Sequence, residues 1–254
     1  MLYLITFIFG SIWGSFSNVC IHRIPENISV VTGRSHCPTC KAQIKWHDNI
    51  PLFSYVLLKA KCRDCSAKID SRYFIVELIS AINFAVIFYF FGISLTTLLF
   101  FILSICFVII FFIDLKHFII PNELTYPLMI IGLLKSFDPN LNTSLFPNLV
   151  NSLIGGLFGY VIIWLIISIY KKLRNKEGMG LGDAKLLSAI GFWFGWASIP
   201  FIIFFSSVIA LLSVVPDIIK NKKNLSSQIP FGPHIIIGCL MFLVFNEQIK
   251  LYLN

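Results

Sequence analysis

The chain has 254 residues, 57% of them hydrophobic and 13% charged, with a net charge of +8. That charged share is about half the usual one, which excludes a soluble globular protein. A membrane-spanning helix takes about 20 mostly apolar residues, so seven or eight spans nearly exhaust the apolar supply and leave one small aqueous domain with short loops. In such a chain the basic excess bears first on which loops face the cytoplasm, and no nucleic-acid partner is expected.

Apolar runs fall at 2–19, 74–92, 95–113, 123–134, 149–170, 185–197, 199–216 and 232–245. They predict an all-α polytopic membrane protein with about eight transmembrane helices, seven being the rival count. The fourth and sixth runs are short for a full crossing. No basic residue precedes the first run and Arg23 follows it, which predicts a retained span with its N-terminus outside, not a signal peptide. Within that span Gly10 pairs with Gly14 and Ser11 with Ser15, spacings suited to close helix packing. Eight spans then place 20–73, 114–122, 171–184 and 217–231 in the cytoplasm. These hold nine, one, four and three basic residues, and with Lys185 they account for 18 of the 20, against Lys135 and Lys250 outside. The positive-inside rule asks for this asymmetry, and the same charges attract anionic membrane lipids. No internal repeat or low-complexity tract is evident.

The domain organisation expected is a first transmembrane helix at 1–19, a cytoplasmic insertion at 20–73 and a transmembrane domain at 74–254. The insertion is too short for a large core and needs a staple. Two pairs, Cys37-Pro38-Thr39-Cys40 and Cys62-Arg63-Asp64-Cys65, supply one. A two-residue gap turns both thiolates of a pair toward one ion, and two pairs give the four soft tetrahedral ligands that zinc accepts. Disulfides and an iron–sulfur cluster are the alternatives; a reducing cytoplasm favours zinc over disulfides. A closed four-cysteine site has no open coordination position, so this zinc-ribbon-like site is structural, with one zinc per chain. Cys20 adjoins an apolar run, and Cys106 and Cys239 lie inside such runs as inert thiols.

Among twelve acidic residues, Glu77, Asp114 and Asp183 fall within or at the edge of apolar runs, where charge is costly and function is the default expectation. Asp114 opens the stretch Asp114-Leu115-Lys116-His117-Phe118-Ile119-Ile120-Pro121-Asn122, a short turn in which Pro121 resists helix continuation and Asn122 caps the next segment. Asp183 closes Gly178-Met179-Gly180-Leu181-Gly182-Asp183. Gly178, Gly180 and Gly182 admit backbone conformations closed to other residues and let another chain approach. Both aspartates fall at one membrane face. Brought together, such a pair shares a proton, and one member activates water while the other protonates a leaving amine, the chemistry of an aspartyl protease. A Gly-rich turn before Asp is also a common helix N-cap, so residue types alone leave both readings open. The chain has no G-x-x-x-x-G-K-[ST] phosphate loop and no H-E-x-x-H zinc-protease motif.

These residues resemble a known family, the bacterial prepilin peptidases or type IV leader peptidases, a branch of the GxGD aspartyl proteases. The resemblance runs through Gly14-Ser15-Phe16-Ser17-Asn18-Val19, Arg23-Ile24-Pro25, both cysteine pairs, Arg72-Tyr73-Phe74-Ile75-Val76-Glu77-Leu78 and Asp114-Leu115 with Ile120-Pro121-Asn122. It continues through Gly180-Leu181-Gly182-Asp183-Ala184-Lys185-Leu186 and Ile229-Pro230-Phe231-Gly232-Pro233. Ser17 and Phe74 depart from the family pattern. The resemblance implies that Asp114 and Asp183 are the catalytic pair, that 74–254 is the aspartyl protease domain, and that a prepilin or pseudopilin is cut after the glycine ending its basic leader, at the cytoplasmic face of the bacterial inner membrane. It further implies methylation of the new N-terminal amine with S-adenosylmethionine, the 20–73 insertion being associated with that activity; no G-x-G-x-x-G opening a Rossmann unit marks a donor site. Glu77 then orients Arg72, lines a methyl-transfer site or makes a helix-packing hydrogen bond. Lys185 tunes the acid pair, binds phospholipid or snorkels to the interface. The competing reading is a zinc-regulated membrane transporter that uses the same acids as ion sites.

Overall fold

Each apolar run forms a helix. In chain order these are α1 (Leu2–Arg23), α2 (Phe53–Leu57, a short helix in the polar insertion), α3 (Ser71–Phe91), α4 (Leu95–His117), α5 (Asn122–Lys135), α6 (Leu149–Arg174), α7 (Leu181–Phe194), α8 (Ser198–Ile219) and α9 (Gly232–Leu253). The structure, a computed structural model, describes residues 1–33, 35–141, 145–175, 178–219 and 228–253. Arg34, Lys176 and most of the expected cytoplasmic stretch 217–231, with Lys220, Lys222 and Lys223, lie outside the described residues, as does the side chain of Lys250.

Among the described residues five helices, α1, α3, α4, α6 and α8, are long and apolar enough to cross a membrane. At 14 residues each, α5 and α7 are about 21 Å long, short of a hydrocarbon core of about 30 Å. Leu157, Trp164, Leu165 and Ile166 on α6, and Phe204, Leu211 and Leu212 on α8, are exposed. Apolar surface on this scale suits lipid and not water.

The chain divides into two compact units, Met1–Ile109 and Ile110–Asn254. In the first, α1 lies against α3 where the small residues predict. A Cβ on Gly10 would stand 2.7 Å from the Ser80 carbonyl oxygen, and one on Gly14 2.7 Å from the Glu77 Cα. Asn18 Nδ2 donates to the Tyr73 carbonyl at 3.0 Å across the same seam.

The polar insertion corrects one expectation, because it contains a repeat. His36-Cys37-Pro38-Thr39-Cys40-Lys41-Ala42-Gln43-Ile44 and Lys61-Cys62-Arg63-Asp64-Cys65-Ser66-Ala67-Lys68-Ile69 fold alike. The N–H of Cys37 bonds Ala42 O at 2.9 Å, and that of Cys62 bonds Ala67 O at 2.8 Å. Lys41 and Ser66 are both left-handed, at φ 60° and 58°. His36 bridges Gln43 as Lys61 bridges Lys68. The two stretches share little beyond cysteine, alanine and isoleucine, so the repeat lies in backbone hydrogen bonding. Arg63 Nε bonds Asp48 Oδ2 at 2.8 Å, tying the second knuckle to the 3-10 turn at Trp46–Asn49.

In the second unit α7 is clamped on two sides. Against α6, a Cβ on Gly191 would overlap the carbonyl of Gly155, while Ser188 Oγ donates to Gly156 O at 2.8 Å and Ser152 Oγ to Phe192 O at 2.7 Å. Against α5, Trp193 Nε1 donates to Leu128 O at 2.8 Å, and its ring fills the space beside Gly132. Small residues here let backbones touch and hydroxyls cross-link helices, as membrane packing favours. This clamp sets the position of the α7 N-terminus, and so of Asp183.

Candidate active site

Asp114 sits in the last turn of α4. Phe118 takes the left-handed conformation, φ 57°, and its N–H closes on the Asp114 carbonyl at 3.0 Å, which stops the helix. Pro121 then occupies the N-cap of α5. The expected turn is present, with one correction: Asn122 is not the cap but the first residue of α5. Its Oδ1 accepts a hydrogen bond from Lys185 Nζ at 2.7 Å, and the same ammonium stands 5.2 Å from the centroid of the Tyr126 ring. Lys185 thereby ties the start of α7 to the start of α5.

Asp183 is the third residue of α7, whose N-cap is Gly180, so it does not cap the helix. The glycines before it do not use the conformational freedom expected of them, since none of Gly178, Gly180 and Gly182 has a positive φ. What Gly182 supplies is room: a Cβ there would lie 2.9 Å from Ile120 Cβ. Gly178 instead packs on the ring of Tyr170.

Asp114 and Asp183 are 4% and 7% exposed as residues. Asp114 Oδ2 accepts the N–H of Gly232 at 2.9 Å. Gly232 is the first residue of α9, so the positive end of that helix dipole faces the carboxylate. A Cβ on Gly232 would lie 2.8 Å from this oxygen and 3.1 Å from Ile120 Cδ1. Ile120 thus fits against both Gly182, next to Asp183, and Gly232, bonded to Asp114, so one side chain links the two backbone segments beside the acids. Asp183 lies within the field of Asp114. Its Oδ1 is buried and has no hydrogen-bond partner among the described residues. The pair is therefore asymmetric: one acid is fixed as an acceptor, and the other has an unused position. Residue types give no sign of Gly232 as a donor, because the group is a backbone N–H 118 positions from its acceptor.

In the first unit, Glu77 is buried in α3 and accepts the N–H of Leu52 at 2.7 Å. Leu52 is held at φ 62°, costly for a bulky side chain. Arg72 lies against the Tyr73 ring, 5.2 Å from its centroid. The four thiols of Cys37, Cys40, Cys62 and Cys65 lie within 4.8 Å of one another. Four sulfurs at about 2.3 Å from one tetrahedral ion are separated by about 3.8 Å, and Cys37 Sγ is 3.8 Å from Cys65 Sγ. Backbone N–H groups of Cys40 and Thr39 favour the thiolate at Cys37, the form a metal binds. The donor set fits a metal ion.

Buried acids at helix ends, long apolar helices and a thiol cluster on a polar insertion define a multi-pass membrane protein. Residues 8–91 match the profile described as the bacterial peptidase A24 N-terminal domain, and residues 100–215 that of the type IV leader peptidase family. The chain is 34% identical over 274 aligned positions to the prepilin leader peptidase/N-methyltransferase of Aeromonas salmonicida, covering 96% of this chain and 91% of that protein. It is 33% identical to the protein of the same name from Pseudomonas aeruginosa, covering 97% and 91%, and 31% identical to that from Neisseria gonorrhoeae, covering 95% and 90%. No solved structure matches. The chain belongs to the prepilin leader peptidase/N-methyltransferase family.

Proposed function

We propose that this chain removes the basic leader of prepilins or pseudopilins by hydrolysis at the cytoplasmic face of the bacterial inner membrane, with Asp114 and Asp183 as its catalytic pair and its N-terminus outside. The observation that carries this reading is that Asp114 and Asp183 are both buried, with Asp183 in the field of Asp114, and that the backbone beside each packs on Ile120. The positive-inside count supports the orientation.

The hydrogen bonding divides the labour. Asp114, with Oδ2 occupied as an acceptor of the Gly232 N–H, is the general base: it takes a proton from a water molecule whose oxygen adds to the scissile carbonyl carbon. Asp183, with Oδ1 free for a new partner, is the general acid: it gives its proton to the leaving amine nitrogen as the C–N bond breaks. Burial strengthens these interactions by removing competing water.

The cysteines Cys37, Cys40, Cys62 and Cys65 hold one structural zinc, with all four positions filled by thiolate and none open for chemistry. The name of the relatives also implies a methyl donor, here S-adenosylmethionine. The cleft in the first unit lined by Thr6, Phe9, Phe88, Thr97, Leu98 and Phe101 is almost wholly apolar and does not fit a charged nucleoside, so no methyl-transfer step is assigned to it.

The test is cleavage of a prepilin by detergent-solubilised protein. Loss of leader release in both Asp114→Asn and Asp183→Asn, each with one zinc retained, is the expected result. Wild-type rates in either variant overturn the catalytic assignment.

A further inference from the structure

The turn that presents the Gly232 N–H to Asp114 is gripped from behind by a side chain with no part in the hydrolysis above. His234, in the first turn of α9 and 8% exposed, has Nδ1 2.9 Å from the Pro230 carbonyl oxygen and Nε2 3.1 Å from Ser213 Oγ on α8. A carbonyl only accepts, so Nδ1 carries a proton and donates it. The Ser213 hydroxyl, 2.8 Å from Ala210 O, has a single proton. With a neutral imidazole that proton serves Nε2; with a charged one, Nε2 donates to Ser213 Oγ and the hydroxyl serves Ala210. The bond from Nδ1 to Pro230 persists in both states.

Three successive residues are thereby fixed. The carbonyl of Pro230 is held by His234, and the carbonyl of Phe231 by the N–H groups of His234 and Ile235, both at 3.0 Å. The N–H of Gly232 points to Asp114. The Phe231 and His234 rings also stack, with centroids 6.3 Å apart.

We propose that His234 is a positioning residue for the hydrolysis: it straps Pro230 to α8 and so sets the place at which the Gly232 N–H holds the Asp114 carboxylate. This rests on Asp114 being catalytic. His234 acts through the 230–232 backbone, and a hydrogen bond of this kind tolerates only a few tenths of an ångström before it weakens.

The test is steady-state cleavage of a prepilin by the full chain in detergent. H234F keeps the ring and its stacking but removes both hydrogen bonds; H234N keeps a donor close to the place of Nδ1. The expected result for H234F is a kcat lower by about tenfold to a hundredfold, with KM and unfolding temperature unchanged, and for H234N a kcat within threefold of wild type. The near-isosteric pair H234N and H234L gives the same contrast without the aromatic ring. D114N, run in parallel, separates positioning from catalysis. Wild-type kcat in H234F while D114N is inactive overturns the positioning role alone, whereas cleavage by D114N overturns the catalytic assignment beneath it. Equal kcat in H234N and H234L, or a loss that appears in KM or follows the unfolding temperature, also overturns the positioning role.

Discussion

Replacing Gly232 with alanine keeps the backbone N–H that Asp114 uses and adds one methyl group in a place without room. The new Cβ would stand 2.8 Å from Asp114 Oδ2 and 3.1 Å from Ile120 Cδ1. Carbon and oxygen in such contacts normally stay about 3.3 Å apart, so the carboxylate must retreat by about half an ångström. That stretches the 2.9 Å hydrogen bond past its useful range of about 3.2 Å. A hydrogen bond to a charged group contributes roughly 1.5–3 kcal/mol, and about 1.4 kcal/mol is a factor of ten in rate. The G232A protein is therefore expected to cleave a prepilin roughly 10- to 150-fold more slowly at saturating substrate. Leader release followed by mass spectrometry measures this, with thermal unfolding in the same detergent as the control. Adding I120A relieves the second collision but not the first, so the double variant stays slow. A G232A kcat within twofold of wild type, or full recovery on adding I120A, refutes the assignment of the Gly232 N–H to Asp114.

Three further outcomes are expected. C62S removes one of four clustered thiols; metal analysis should fall from one zinc per chain to none, and protease nicking should appear within 35–69. K185M breaks the 2.7 Å bond to Asn122 and should lower kcat by about tenfold through loss of roughly 1–1.5 kcal/mol of alignment, with N122D, which offers a stronger acceptor, leaving cleavage near wild type. W193F leaves the Leu128 carbonyl without its side-chain donor and should lower the unfolding temperature, at a cost of about 1–3 kcal/mol, while D114N, which leaves that bond intact, should not.

Much of the architecture is legible in the residues, because hydropathy over about 20 positions is a strong and local signal. The runs at 123–134 and 185–197 even announce the shortness of α5 and α7. Packing is legible only where it is local too: Gly10 and Gly14 stand out on one helix, while the contact of Gly155 with Gly191 is visible only once α6 and α7 are side by side. At the acid pair, Asp114 and Asp183 stand out because charge is scarce in apolar surroundings. Their partners do not. The Gly232 donor belongs to the backbone, Asn122 resembles a cap, and Ile120 is one isoleucine among many until two glycines are found against it. The Gly178-Gly180-Gly182 pattern is visible, but it suggests conformational freedom where the fold uses close approach at Gly182.

The contact of α1 with α3 reaches further than helix packing. The roughly 47 residues between Arg23 and Ser71 form a loop whose two ends are already joined by those helices, at Gly10, Gly14 and Asn18. Closing a free chain of that length costs on the order of 3 kcal/mol of entropy by the logarithmic scaling of loops. The helix pair has met this cost before any metal arrives, so the thiols search a much smaller volume than they would on a separate peptide. The pairing of two apolar helices thus favours metal binding by a polar segment that makes none of their contacts.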